Sequence, residues 1–253
     1  MSSRANGASG AQALPADGTR YSRVAHGGPP LRVRHGTTAP PHRWRSVPAA
    51  IGGLSKRGLD IVLVLAASPF FLPLMAGVAL LVRLGGPGPV LYGHERIGHG
   101  GQRFRCWKFR TMVVDADRVL DAHFRRHPED LERWRRERKL SPDPRVTPLG
   151  AVLRKLSIDE LPQLWNVLVG EMSLVGPRPV VEDELAIYGR SASHYLRARP
   201  GLTGLWQISG RSDVSYRRRV HLDRLYLRHW SLPLDLWILL RTVPAVIQSR
   251  GAR

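Results

Sequence analysis

Two adjacent carboxylates, Asp159 and Glu160, stand just before Pro162 in the stretch Ser157-Ile158-Asp159-Glu160-Leu161-Pro162-Gln163-Leu164-Trp165-Asn166. Proline suits the first helical position, where its missing N–H would be unpaired anyway. The spacing therefore predicts a helix from Pro162 to Val169 with both acids at the positive end of its dipole. Such a helix start also attracts phosphate. A carboxylate placed there can act as a nucleophile or hold a metal, and either suits phosphoryl chemistry. A plainer reading competes: Ser157 and Glu160 have the S-x-x-E spacing of a capping box. A helix capped by Ser157 would carry Pro162 in its second turn, at the cost of a hydrogen bond and a clash. These ten residues alone favour capping; the rest of the chain reverses that.

Cations that could hold phosphate occur in three places. Lys108 and Arg110, in Lys108-Phe109-Arg110-Thr111-Met112, are two residues apart on an expected strand and so share a face. An ordinary solvated basic edge would look the same. Arg154 and Lys155 fall in the last turn of a helix opened by Thr147 as cap and Pro148 at its first position, where cations suit the dipole. That helix delivers the chain directly to Asp159 and Glu160. Arg178 lies between Pro177 and Pro179, a stiff backbone that reduces the ordering needed to grip an anion. The loop Arg199-Pro200-Gly201-Leu202-Thr203-Gly204-Leu205-Trp206-Gln207 has the same rigid, Gly-rich character.

The elements around these residues follow from composition. The chain has 253 residues, enough for one or two domains and a sizeable core. Its formal charge of +19 implies an anionic partner: nucleic acid, acidic lipid or phosphorylated substrates. The single cysteine, Cys106, cannot form an intramolecular disulfide, which points to a reducing compartment. It has no partners at zinc spacing, and His94 and His99 read as polar loop residues. Residues 1–50 read as a disordered basic tail with seven Arg, one Asp and no Lys or Glu. It is either an arm lying on anionic lipid or a plain spacer. The apolar run comes too late in the chain for a secretory signal.

Ile61 to Val82 carries no charge over 22 residues, long enough to cross a bilayer core. Ser68-Pro69 lies near its middle and Pro73 one turn on. A kinked spanning helix and a helix-break-helix hairpin both fit. Both flanks are basic, and only the hairpin puts both in the cytoplasm. Gly85-Gly86-Pro87-Gly88-Pro89 ends this element. Val90 to Ile97 and Gln102 to Thr111 read as two strands around Gly98-His99-Gly100-Gly101. Val113 to Lys139 is helical with an interruption near Pro128, and its Arg133, Arg135, Arg136 and Arg138 form a solvated or lipid-facing surface. Tyr216 to Trp230 is a basic helix. Pro233 to Ile247 is too short and too polar to span, and lies in the membrane interface or packs on the core. No Walker loop, no dinucleotide fingerprint, no clear Ser-His-Asp arrangement and no nucleic-acid-binding motif stands out.

From Lys56 to about Ile247 the chain resembles the bacterial sugar transferases called monotopic phosphoglycosyl transferases. The resemblance rests on rare elements in family order. They are Lys56-Arg57-x-x-Asp60, an apolar hairpin containing Ser68-Pro69, and Lys108-Phe109-Arg110-Thr111-Met112. Arg145-x-Thr147-x-x-Gly150-x-x-x-Arg154 comes next, then Asp159-Glu160-Leu161-Pro162-Gln163-Leu164-x-Asn166 and Pro177-Arg178-Pro179. Arg199-Pro200-Gly201-x-Thr203-Gly204 and Gly210-Arg211 close the series. His94 is a small departure, where Gln is expected.

The resemblance implies an α+β, mostly helical monotopic membrane protein. Its parts would be a re-entrant helix-break-helix hairpin in residues 51–86 and a catalytic domain in residues 87–253, with a short β-hairpin and an interfacial C-terminal helix. It implies that Asp159 attacks the β-phosphorus of a UDP-sugar, that UMP leaves, and that undecaprenyl phosphate takes the sugar phosphate from Asp159. Glu160 matches a Mg2+ ligand, and Lys108, Arg110, Arg145, Arg154, Pro177, Arg178 and Pro179 match the substrate-binding positions. The implied product starts an exopolysaccharide, with a hexose as the sugar. The same chemistry on an N-acetylated amino sugar, a catalytically silent membrane scaffold and a nucleic-acid-binding protein are the alternatives. The missing motifs and the apolar run argue against the last. The implied location is the inner membrane, facing the cytoplasm, with a second copy and downstream glycosyltransferases as further partners.

Overall fold

The uncharged run forms the middle of one helix, α1 (Gly53–Leu84), in the computed structural model of the chain. The structure describes residues 49–137, 140, 142–210 and 215–247. The basic tail falls almost wholly outside the described residues, as do Arg138, Arg211 and the side chains of Arg133, Arg135 and Arg136.

α1 corrects one expectation. The helix does not break at Ser68-Pro69 but runs through Pro69 and Pro73. Pro69 has no N–H for the carbonyl of Leu65, and the Ser68 hydroxyl donates to that carbonyl at 2.8 Å instead. The buried residues of α1 fall at helical spacing in two groups, Lys56, Asp60 and Val64, then Val78 and Val82. Val64 packs with Phe104, Cys106, Val167 and Met172. Val78 and Val82 pack with Phe109 and Leu153. Both ends of the helix thus rest on one body, while Val62, Leu65, Phe70, Leu72 and Leu80 face outward. Among the described helices, α1 is the one long and apolar enough to cross a membrane.

The body is mostly helical. β1 (Leu91–Ile97) and β2 (Arg103–Phe109) pair antiparallel with Tyr92 opposite Lys108, His94 opposite Cys106 and Arg96 opposite Phe104. α2 (Ala116–Arg126) and α3 (Pro128–Glu137) divide at Pro128, as expected. α4 (Pro148–Lys155) is capped by Thr147, whose hydroxyl accepts the Gly150 N–H at 2.9 Å. Gly150 allows α4 to press on the end of β2, since a Cβ there would lie 2.1 Å from the Thr111 carbonyl oxygen. A short 3-10 turn, Ile158–Glu160, leads into α5 (Gln163–Val169). Arg57 donates to the carbonyls of Val167 and Leu168, and Arg199 donates to that of Gly170 at 2.8 Å. Both cations thus sit at the negative end of α5.

β3 (Ser173–Val175) pairs in parallel with β4 (Gly201–Thr203), joining two stretches that read as loops in the sequence. Three-residue strands carry too little alternation to announce themselves. Between them lie α6 (Glu182–Tyr188) and α7 (Ala192–Tyr195). α8 (Leu205–Ile208), α9 (Tyr216–Arg228) and α10 (Leu232–Ile247) complete the described chain. α10 packs one face on the core and leaves the other exposed. Asp235 and Ile238 are buried, and Leu236, Trp237, Leu240 and Val243 are exposed.

Charge locks α1 to this body. Lys56 Nζ meets Asp235 Oδ2 at 2.6 Å, and both residues are buried. Asp235 also accepts from the Tyr226 hydroxyl at 2.7 Å and the Trp230 indole at 3.1 Å. Removing one partner of a buried pair strands the other charge. Asp235→Ala should therefore lower stability by about 3–5 kcal/mol, and the double change Lys56→Met with Asp235→Leu should recover most of it. Equilibrium unfolding of the detergent-solubilised protein measures both.

Candidate active site

Ser157 adopts φ 57°, the single described non-glycine residue with positive φ. It therefore does not cap a helix, and no side-chain cap bond forms there. A left-handed serine at this position is strained. The kink it makes after α4 turns the chain into the 3-10 segment. That places Asp159 in the interior, 7% exposed, with Glu160 beside it.

Four of the sequence-derived residues come together. Lys108 Nζ donates to Glu160 Oε1 at 2.6 Å. Arg154 donates through Nε to the Thr111 hydroxyl at 2.9 Å, and its charge reaches Asp159. Burial pushes the Asp159 carboxyl up to about 6; Glu160 adds to the rise, while Lys108 and Arg154 oppose it. Burial alone would depress the Lys108 ammonium, but the Glu160 and Asp159 carboxylates outweigh it and raise its pKa. The result is a buried acid that ionises just below neutral pH, flanked by two cations and a second carboxylate. Such a group can attack an electrophilic centre, and the cations can hold an anion against it.

The other candidates are placed differently. Arg110 points to the end of α1, donating to the carbonyls of Val82, Gly86 and Pro87 at 3.1, 2.9 and 2.6 Å. It satisfies a helix C-terminus, where a cation is favourable. Arg145 grips Asp143 with Nε at 2.9 Å and a terminal nitrogen at 2.6 Å, and its guanidinium carbon lies 4.8 Å from the Trp134 ring centre. Arg178 lies over the Trp206 ring at 5.2 Å. Pro177 is fully buried, and its carbonyl accepts the Gly201 N–H at 2.8 Å, which holds the start of the Arg178 loop on β4. Burial lifts the Cys106 thiol to about 11, so it is no nucleophile at neutral pH.

Two residues that sequence reasoning left without a role organise the site. Asn166 is fully buried; its amide donates to the Arg105 carbonyl at 2.8 Å and to Glu171 at 2.6 Å, and its oxygen accepts the Trp107 N–H at 3.2 Å. It ties α5 to β2 and so sets Asp159 against Lys108. Thr111 orients Arg154. Both lie in quoted motifs, but the pattern does not say whether a motif residue meets substrate or scaffold.

Residues 51–249 match the family model described as bacterial sugar transferase. The chain belongs to that family. Its relatives include the exopolysaccharide production protein ExoY of Rhizobium meliloti, 57% identical over 80% of this chain and 89% of that protein. The undecaprenyl-phosphate galactose phosphotransferase of Salmonella typhimurium is 46% identical over 78% of this chain and 41% of that longer protein. The UDP-glucose:undecaprenyl-phosphate glucose-1-phosphate transferase of Caulobacter vibrioides is 40% identical over 81% of this chain and 74% of that protein.

Folding raises the Asp159 pKa, so the folded chain favours its protonated form. That contribution is full below the ordinary value of 3.8 and is lost as pH rises through about 6. Asp159→Asn should thus be more stable than the parent at about pH 8, by on the order of 2 kcal/mol, with the gap closing below about pH 4. Thermal unfolding across this range checks the sign. Arg110→Gln should cost on the order of 1–2 kcal/mol by freeing the carbonyls of Val82, Gly86 and Pro87, measured in the same way.

Proposed function

We propose that the chain transfers a hexose-1-phosphate from a UDP-sugar to undecaprenyl phosphate, releasing UMP, as the first membrane step of exopolysaccharide assembly. The observation that carries the reading is the buried Asp159 with Glu160, Lys108 and Arg154 around it. The names of the Salmonella and Caulobacter relatives, with galactose and glucose as their sugars, support the substrate class. The name of the Rhizobium relative supports the biosynthetic setting.

The route has two displacements at one phosphorus. Ionised Asp159 attacks the β-phosphorus of the donor, and UMP leaves. The carrier's phosphate then attacks the aspartyl ester and restores the carboxylate. Splitting the transfer lets a water-soluble donor and a lipid acceptor use one site in turn. Arg154 and Lys108 hold the phosphoryl oxygens. The desolvation that raises Asp159 also strengthens every charge contact made around it.

Adjacent carboxylates whose mutual repulsion raises Asp159 fit a hard divalent cation. Glu160 would hold Mg2+, with substrate phosphates completing its coordination. Bound there, the ion would neutralise phosphate charge that otherwise repels a carboxylate nucleophile.

α1 serves this chemistry as a re-entrant anchor, bending at Pro69 and Pro73 without breaking so that it enters and leaves by the cytoplasmic face of the inner membrane. Support comes from its two ends, which pack on the same body, and from the basic residues that flank both. The exposed face of α10, with Trp237 and Leu240, suits the membrane interface beside it.

With donor alone, intact-mass spectra should show a hexose-phosphate adduct that Asp159→Asn lacks, and that variant should lose turnover by about a thousandfold or more. Persistence of the adduct in Asp159→Asn would remove it as nucleophile. UMP release should be fastest with a UDP-hexose in a panel of UDP-sugars. Activity should rise with pH through about 6 and level off above it, as Asp159 ionises. Glu160→Gln should raise the Mg2+ concentration for half-maximal activity by about tenfold or more; an unchanged titration would refute the ligand role.

A further inference from the structure

Arg178 and Arg219 stack on the same indole. Their guanidinium carbons lie 5.2 and 4.4 Å from the Trp206 ring centre. Arg178 comes from the loop after β3, Arg219 from α9 and Trp206 from α8. Three buried N–H donors in this cluster meet no acceptor among the described residues: Nε of Arg178, Nε of Arg219 and Nε1 of Trp206. Trp206 itself is only 6% exposed. Buried donors are nearly always paired, so this concentration of unused hydrogen bonding asks for an acceptor. The charge asks for the same thing. Arg96 is a third cation near Arg178. Against the three stand Glu184, 3.4 Å from Arg96, and the buried Asp223, whose charge reaches Arg178 and Arg219.

Cys106 links the cluster to the acid pair. On the hairpin, Arg96 and Lys108 lie on one face, because directly opposed and alternate residues share a side. Cys106 sits between them on that face, and its thiol feels Lys108 and Glu160 as well as Arg96 and Arg178.

The next step rests on the two-displacement route proposed above. In the first displacement an Asp159 oxygen bonds to the β-phosphorus while the bond to the UMP phosphate oxygen breaks, and UMP keeps the electron pair. In the second, a carrier phosphate oxygen bonds to the same phosphorus, the ester bond to Asp159 breaks, and the carboxylate takes the pair. Phosphoryl displacements keep attacking and leaving oxygens roughly in line. Asp159 is one of the two oxygens in each step, so the other group always lies opposite it. The UMP phosphate departs from the place that the carrier's phosphate then takes, and both are phosphate monoesters.

We propose that Arg178, Arg219 and the Trp206 indole N–H form that place, one phosphate-monoester seat used first by departing UMP and then by the arriving carrier. Arginine suits the task because its planar fork matches two phosphate oxygens. Stacking on Trp206 fixes both forks before the ligand arrives, which reduces the ordering needed on binding.

The test uses the full chain in lipid nanodiscs, with the parent, Arg219→Gln and Trp206→Phe, the last removing the N–H and keeping a ring. UMP and uridine affinities are measured by calorimetry, and discharge of the donor-loaded protein is timed with a short-chain polyprenyl phosphate. Arg219→Gln should weaken UMP binding by about tenfold or more, and Trp206→Phe by about threefold. Uridine, which lacks the phosphate, should bind all three proteins alike, and this also reports an intact fold. Discharge should slow in Arg219→Gln by a factor similar to its loss of UMP affinity. UMP affinity equal to the parent's, or a parallel fall for uridine, would overturn the seat. Weakened UMP binding with unchanged discharge would overturn its shared use. UMP binding needs no turnover, so it reads the seat even if the parent forms no aspartyl adduct, an outcome that would count against the covalent route alone.

Discussion

A buried carboxylate is costly to ionise, and the candidate site of this protein is arranged around one. Burial and Glu160 push Asp159 toward its neutral form; Lys108 and Arg154 pull it back. Each opponent is held by a different part of the fold. β2 carries Lys108, anchored by the buried Phe104, Cys106 and Phe109. α4 carries Arg154, fixed by Thr111 and by the close approach that Gly150 allows. The left-handed Ser157 supplies the turn between α4 and the acids. Moving any of these elements changes the balance, so the geometry of the site and the charge state of its acid are one property.

The long apolar helix α1 is coupled to this arrangement through buried charge. Asp60 of α1 accepts the Ser173 hydroxyl and the Leu174 N–H, each at 3.0 Å, and both donors belong to β3. β3 leads directly into Pro177-Arg178-Pro179, and its partner β4 holds Pro177 by the Gly201 N–H. Lys56 is tied to Asp235 of α10, and Arg57 to the end of α5, which follows the acid pair. Lys56, Arg57 and Asp60 therefore connect α1 to α10, α5 and β3. A charged motif at the start of an apolar run looks made for headgroups, yet here its members turn inward. The apolar face of α1 and one face of α10 are left exposed.

Much of this was legible in the residues. The hairpin, the division at Pro128, the Thr147 cap and the terminal helices follow from turn chemistry and periodicity, which act over a few residues. The pairing of Lys108 with the acids was legible as a possibility, since strand alternation put Lys108 and Arg110 on one face. Alternation could not say that only Lys108 reaches Glu160 while Arg110 caps α1. Arg145 is a similar case: its type and position suited phosphate, and Asp143, two residues earlier, takes it. Pairing between β3 and β4 stayed hidden because each strand has three residues and its partner is far along the chain. Ser68-Pro69 misled in the other direction. Proline does remove a helix bond, but the serine beside it offers its hydroxyl to the freed carbonyl.

The residue pattern by itself determined the family, the apolar segment and the identity of the acid pair, because these depend on composition and on spacing along the chain. Tertiary structure decided which cations face the acids, how far Asp159 is desolvated, and that Arg178 meets Arg219 over Trp206. The reason is physical. Desolvation and charge coupling depend on distances through space, and residues 41 positions apart in sequence are brought together here by packing that no local pattern encodes.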